Sequence, residues 1–245
     1  MGIGSLRTGR DLSVGQPGPG AGTEERIAIV LLLLTGVSGL VDAASYLTLG
    51  HVFVANMTGN ILFVGFALAG ATGLSLASAV IAVAAFFVGA VAAGRLARTW
   101  KLEKPELLRA VTVLELLLIL VAIIVGLSVT AERLAPAYAM VGLMAAATGI
   151  QSATTSRLQI PGFNSTVVLT TMLGTMATSS RLAGGSGADN GRRTLAIVSM
   201  LIGGFTGAVL ALGVSRIATL TLAAGVLLVA SLRAHAIVRR FSRNG

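Results

Sequence analysis

Asp42 is the last charged residue before a long uncharged stretch: from Ala43 to Gly94 the chain has no Asp, Glu, Lys or Arg. Within that stretch lies Asn56-Met57-Thr58-Gly59-Asn60. A carboxyl near two amides and a hydroxyl could bind a proton or cation, or hydrogen-bond a small solute. Gly59 would let backbone approach closely. The other half of the chain carries a second polar set, Gln151 followed by Thr170, Thr171 and Thr175. A carboxyl at the centre of a bilayer costs ~2.5–3.5 kcal/mol on insertion scales, and such groups turn toward protein or water. Each also has a structural reading. Asp42 could accept hydrogen bonds from a neighbouring segment, the amides could join helices, and the threonines could satisfy their own backbone.

Other chemistries find little support. With no cysteine, disulfides, thiolate metal sites and Cys nucleophiles are excluded. His51 and His235 are the two histidines, far apart in the chain, so no metal site is expected. No His cluster or paired carboxylates converge, so the protein is not expected to be an enzyme or to hold a cofactor. Glu115 sits near the start of an apolar run, where snorkelling to the cytoplasmic surface is the simplest expectation. Arg157 follows a span and reads as an anchor.

The elements that position these residues follow from composition. The 245 residues are 55% hydrophobic and 11% charged, and the mean hydropathy is +0.90. Soluble domains carry about 25% charged residues. The uncharged stretch alone far exceeds the roughly 20 residues that cross a bilayer once. The chain therefore reads as an all-α integral membrane protein. Its net charge of +9 falls in short loops and tails beside apolar spans. That placement suits the positive-inside rule, so nucleic acid is not an expected partner.

Apolar segments run Ile27–Leu49, Val52–Ala71, Leu74–Leu96, Leu108–Val129, Ala135–Thr155, Phe163–Leu182, Thr194–Val214 and Ile217–Val238. If all eight crossed, Lys and Arg would divide 11 to 7 between the two sides. If the second and sixth enter and leave on one face, the split becomes 16 to 2, with Arg133 and Arg216 alone opposite. The second arrangement obeys the positive-inside rule far better. It predicts six transmembrane helices plus two re-entrant or broken segments, with both termini cytoplasmic. Residues 1–26, rich in Gly, Ser and Pro, read as a disordered tail, and residues 27–240 as one polytopic membrane domain.

The halves, about 27–130 and 134–238, resemble each other. Gly39-Leu40-Val41-Asp42-Ala43 aligns with Gly149-Ile150-Gln151-Ser152-Ala153, and Met57-Thr58-Gly59-Asn60 with Met172-Leu173-Gly174-Thr175. Gly70 then aligns with Gly185, and Val88-Gly89-Ala90 with Ile202-Gly203-Gly204. Three crossings per half would invert the second half, a 3+3 inverted repeat. Transporters often use this plan, with their site at the midplane.

With these residues in view, the chain resembles the YoaK-like family of bacterial inner-membrane proteins, whose function is unknown. The likeness rests on Gly39-Leu40-Val41-Asp42-Ala43, on Val52-Phe53-Val54-Ala55-Asn56-Met57-Thr58-Gly59-Asn60 and on Thr170-Thr171-Met172-Leu173-Gly174. It covers roughly residues 27–240. It implies a six-helix protein of the bacterial inner membrane and no known substrate. One departure is Leu173-Gly174, where such families usually show Thr-Gly.

The expectation is a small-solute transporter or channel with a path through Asp42, Asn56, Thr58, Gly59, Asn60, Gln151, Thr170, Thr171 and Thr175. The rival expectation is a non-catalytic scaffold or accessory protein held together by the same residues. Expected partners are the lipid bilayer, an unidentified solute or ion, and a second copy of the chain. A reporter-fusion topology map should place both termini and Lys101 in the cytoplasm; an external Lys101 defeats the arrangement with two re-entrant segments.

Overall fold

Hydrocarbon offers a peptide group no water, so each N–H and C=O must be met within its own segment or by other protein groups. Long runs of Leu, Ala, Val and Ile with few charges meet that demand as helices. The computed structural model describes residues 21–128, 134–160, 169–179 and 190–244. They form α1 (Ala21–Thr48), α2 (Met57–Leu68), α3 (Leu76–Thr99), α4 (Lys104–Ser128), α5 (Leu134–Leu158), α6 (Leu169–Ser179), α7 (Asn190–Gly213) and α8 (Arg216–Asn244). All but α2 and α6 are long and apolar enough to cross a membrane, which gives six such helices among the described residues. Hydroxyls inside the spans bond back to their own helix, as Thr35 does to the Leu31 carbonyl (2.8 Å) and Thr154 to that of Ile150 (2.9 Å).

The two short helices occupy the segments that the charge pattern singled out. Of Val52–Ala71, only Met57–Leu68 is helical. Twelve residues rise about 18 Å, against a hydrocarbon core of about 30 Å. Gly50, at φ +96°, and His51, at φ +55°, turn the chain out of α1. α2 nevertheless presents Ile61, Leu62, Phe66 and Leu68 outward, a surface that suits lipid and not water. α6 has 11 residues. The expected segment 163–182 otherwise falls on 161–168 and 180–189, which lie outside the described residues. α1 begins at Ala21, inside the stretch read as a tail; residues 1–20 lie outside the described residues.

α1, α8, α4 and α5 pack in sequence around a common core, closed by a lesser contact between α1 and α5. Leu34, Ile119, Met144 and Leu227 are among its fully buried side chains. α7 lies along the outside of α1 and α3 along the outside of α5, while α2 rests on α3 and α6 on α7. The two outer pairs are in backbone contact. Gly39 lies on the backbone of Met200 and Gly204, and Gly203 on that of Gly36. Gly149 lies on the backbone of Phe86, and Gly89 on that of Ala146. With no driving force from water, such close approach of small residues is what holds membrane helices together.

A methyl group at any of these glycines meets backbone that cannot move aside. Gly89→Ala, Gly149→Ala and Gly203→Ala should each destabilise the protein by about 1–3 kcal/mol in thermal unfolding in detergent. At Gly94 a Cβ meets nothing within 4 Å, so Gly94→Ala should be neutral or stabilising by up to about 1 kcal/mol.

Candidate functional site

Between α1 and α2 the backbone leaves the helix at residues 50–56. Its polar groups lose their intrahelical partners there, so side chains must replace them. Asp42, six residues before the end of α1, supplies one. Its Oδ1 accepts from the N–H groups of both Val54 (2.8 Å) and Ala55 (2.7 Å). Asn60, the buried residue of α2, supplies two more. Its Oδ1 accepts from Phe53 N–H (3.0 Å), and its Nδ2 donates to the Phe53 carbonyl (2.6 Å). The Val54 carbonyl is met from across the bundle by the hydroxyl of Thr148, near the middle of α5. The non-helical stretch is thus clamped between α1, α2 and α5.

The flanking residues complete the clamp. Asn56 caps α2, its Oδ1 accepting from Gly59 N–H at 3.4 Å. A side chain at Gly59 would meet the Phe53 ring. Phe53 in turn stacks on Tyr46 and Phe63 at 4.8 and 5.7 Å between ring centres, and Tyr46 meets His51 edge-on at 5.3 Å. His51 is exposed at this end.

The structure brings together Asp42, Asn56, Gly59 and Asn60, and leaves Thr58 exposed on the outer side of α2. Gln151 belongs to a different layer. Its Nε2 donates to the Leu34 carbonyl (3.2 Å) and to Ser38 Oγ (3.1 Å), tying α5 to α1. Thr170, Thr171 and Thr175 sit on the α6 backbone, but their side chains lie outside the described residues.

Glu115 differs from expectation. It does not snorkel but is fully buried, because the face of α4 that carries Leu108, Thr112, Glu115, Ile119 and Ala122 turns into the core. Arg157 is exposed, as an anchor would be. Sequence reasoning missed Thr148, whose one signal is its place beside Gly149, matching Ser38 beside Gly39 in the repeat alignment. It also missed the Tyr46–Phe53–Phe63 stack, since aromatic residues carry no spacing signal across a broken helix.

Comparison with known proteins agrees with the resemblance read from the motifs. A family model described as "Protein of unknown function (DUF1275)" matches residues 30–232. The UPF0700 transmembrane protein YoaK of Bacillus subtilis (strain 168) is 32% identical over 143 residues, covering 58% of this chain and 63% of that protein. The chain therefore matches somewhat less than two thirds of that relative's length. No solved structure matches.

The clamp makes a graded prediction. Asn60→Ala leaves the Phe53 N–H and carbonyl without their partners, at about 1–3 kcal/mol for each buried group left unpaired. Asp42→Ala strands two N–H groups and should cost at least as much. Thr58→Ala, on the outer side, should stay within about 0.5 kcal/mol. Thermal unfolding of the three variants in one detergent ranks them.

Proposed function

For a chain that belongs to the DUF1275 family of proteins of unknown function, we propose a non-enzymatic carrier or channel for a small solute or ion. It sits in the bacterial inner membrane with both termini cytoplasmic, built as an inverted repeat with a re-entrant segment in each half. The observation that carries this reading is the non-helical stretch Phe53–Asn56, whose peptide groups are held by Asp42, Asn60 and the mid-helix Thr148. Broken backbone at membrane depth is costly and is tolerated where protein or a wet cavity covers it. Transporters place it where a solute must be met by backbone dipoles.

Several contacts support the repeat. Exchanging the halves turns the Gly39–Met200 contact into Gly149–Phe86, and Gly36–Gly203 into Ala146–Gly89. The same exchange turns the α4–α5 pair into α8–α1, and α2 on α3 into α6 on α7. The apolar outer face of α2 favours a segment that dips into lipid and returns. Asp42 then serves as a latch on the broken segment through Oδ1 and as the acid that meets a proton or cation through its other oxygen, and Thr58 and the side-chain nitrogen of Asn56, exposed beside it, are free to meet a solute.

One observation favours the scaffold reading: both bonding atoms of Asn60 and Oδ1 of Asp42 are spent on backbone. The two readings part in a flux experiment. Asp42→Asn keeps an oxygen that can accept both N–H bonds while removing the acid. In proteoliposomes challenged with a panel of ions and small solutes on a solid-supported membrane, the wild type should give a charge or solute signal. Asp42→Asn should lower that signal about tenfold or more at equal reconstituted protein. A silent wild type across the panel, with variants that alter folded yield alone, would establish the scaffold.

A further inference from the structure

Four buried side-chain oxygens among the described residues have no hydrogen-bond partner: both carboxylate oxygens of Glu115, Oε1 of Gln151 and Oγ of Ser231. Native interiors leave few such atoms, and each calls for a reason. These four lie on three helices that share one core, α4, α5 and α8.

Helix register places Glu115 and Gln151 at one level and Ser231 within about one turn of it. Near the end of α4, Gly126 faces Met140 of α5 and Ile217 of α8. α5 follows α4 after a short connection, and Ile217 opens α8, so both run antiparallel to α4. About three turns away, some 16 Å along each axis, Glu115 comes level with Gln151. On α8 the same step ends one turn short of Ser231. Neighbours agree: Leu114 and Leu118, on either side of Glu115, cluster with Ile150 and Ala153, on either side of Gln151.

The chemistry of the layer is one-sided. The Gln151 amide is oriented by the Leu34 carbonyl, which can only accept, so Nε2 must face α1 and Oε1 is left bare. A carboxylate accepts at both oxygens. Glu115 is 0% exposed and has no cation beside it among the described residues. Arg157 at the end of α5 and Arg233, Arg239 and Arg240 on α8 are all exposed. With Glu115 ionised, one negative charge and two neutral oxygens without a partner among the described residues call for one positive charge that binds oxygen. Calcium takes six to eight oxygen ligands and magnesium keeps several waters, so neither suits a single carboxyl in a buried layer.

We propose that Glu115, Gln151 and Ser231 form a binding site for a single alkali-metal cation in the core of the helix cluster. The site is separate from the Asp42 latch and stands independently of the transport reading, because equilibrium binding needs no flux.

The full chain in detergent, at constant ionic strength and at each of several pH values, is titrated with sodium, lithium or potassium chloride against choline chloride, and thermal unfolding is recorded. The expected result is a saturable rise in Tm of roughly 3–5 °C with at least one of the three ions. Glu115→Gln, nearly isosteric, should abolish the rise, and Ser231→Ala should raise the half-effect concentration about tenfold. Asp42→Asn should keep the response. Three outcomes overturn the site: no ion-specific rise in the wild type, a rise that survives in Glu115→Gln, or a Tm that follows pH alone, which would assign the layer to a protonated carboxyl.

Discussion

The rest of this structure depends on one constraint: a peptide group inside hydrocarbon must find its partner in the protein. Six helices satisfy it by their own periodicity. Between α1 and α2 the constraint is met differently. There the chain is non-helical and bends at Val54 and Ala55, and Asp42, Asn60 and Thr148 take the places that a helical turn would have filled. Three helices are thereby joined at one short stretch, since each donor or acceptor comes from a different element. An intramembrane carboxyl that looks expensive in isolation is offset by two short bonds from N–H groups that would otherwise be stranded.

A second constraint governs how the helices meet. Water drives no association inside a bilayer, so packing rests on van der Waals contact and on hydrogen bonds between helices. At both outer interfaces glycine lets backbone rest on backbone, Gly39 and Gly203 on one side and Gly89 and Gly149 on the other. Polar ties then fix register. Gln151 reaches Leu34 and Ser38 across the α5–α1 contact, and Ser199 reaches the Leu32 carbonyl (2.8 Å) across α7–α1. Packing is tight where small residues recur and specific where a polar side chain crosses.

The sequence made part of this visible. The spans emerge from composition because uncharged length is a direct readout of hydrocarbon thickness: Leu74–Leu96 was expected where α3 runs Leu76–Thr99. Asn56 and Asn60 stood out because amides are rare in such a run, and Asp42 because acids are. Their partners were not legible. A hydrogen bond from Thr148 to Val54 joins residues far apart in the chain, and no local pattern records it. The outward turn of Thr58 and the inward turn of Glu115 were equally hidden. In a helix that is apolar all round, periodicity does not say which face meets lipid and which meets protein. The expectation that Glu115 would snorkel assumed a lipid-facing position near the surface, and the packing of α4 against α5 and α8 removes that assumption.

The two intramembrane acids thus exchange roles relative to what their sequence context suggests. Asp42 lies beside the polar motif and invites a functional reading, yet its bonds are those of a residue that shapes the backbone. Glu115 lies in an unremarkable Leu-rich stretch, yet it carries a carboxyl group that no described residue answers. A partnered acid repays its desolvation through its own contacts. An unpartnered one adds only cost to the fold, which directs the search for its counterpart outside the chain. On that argument the latch at Asp42 explains how the chain can break between two apolar helices. The bare oxygens of Glu115, Gln151 and Ser231 mark where a charge from outside the protein completes it.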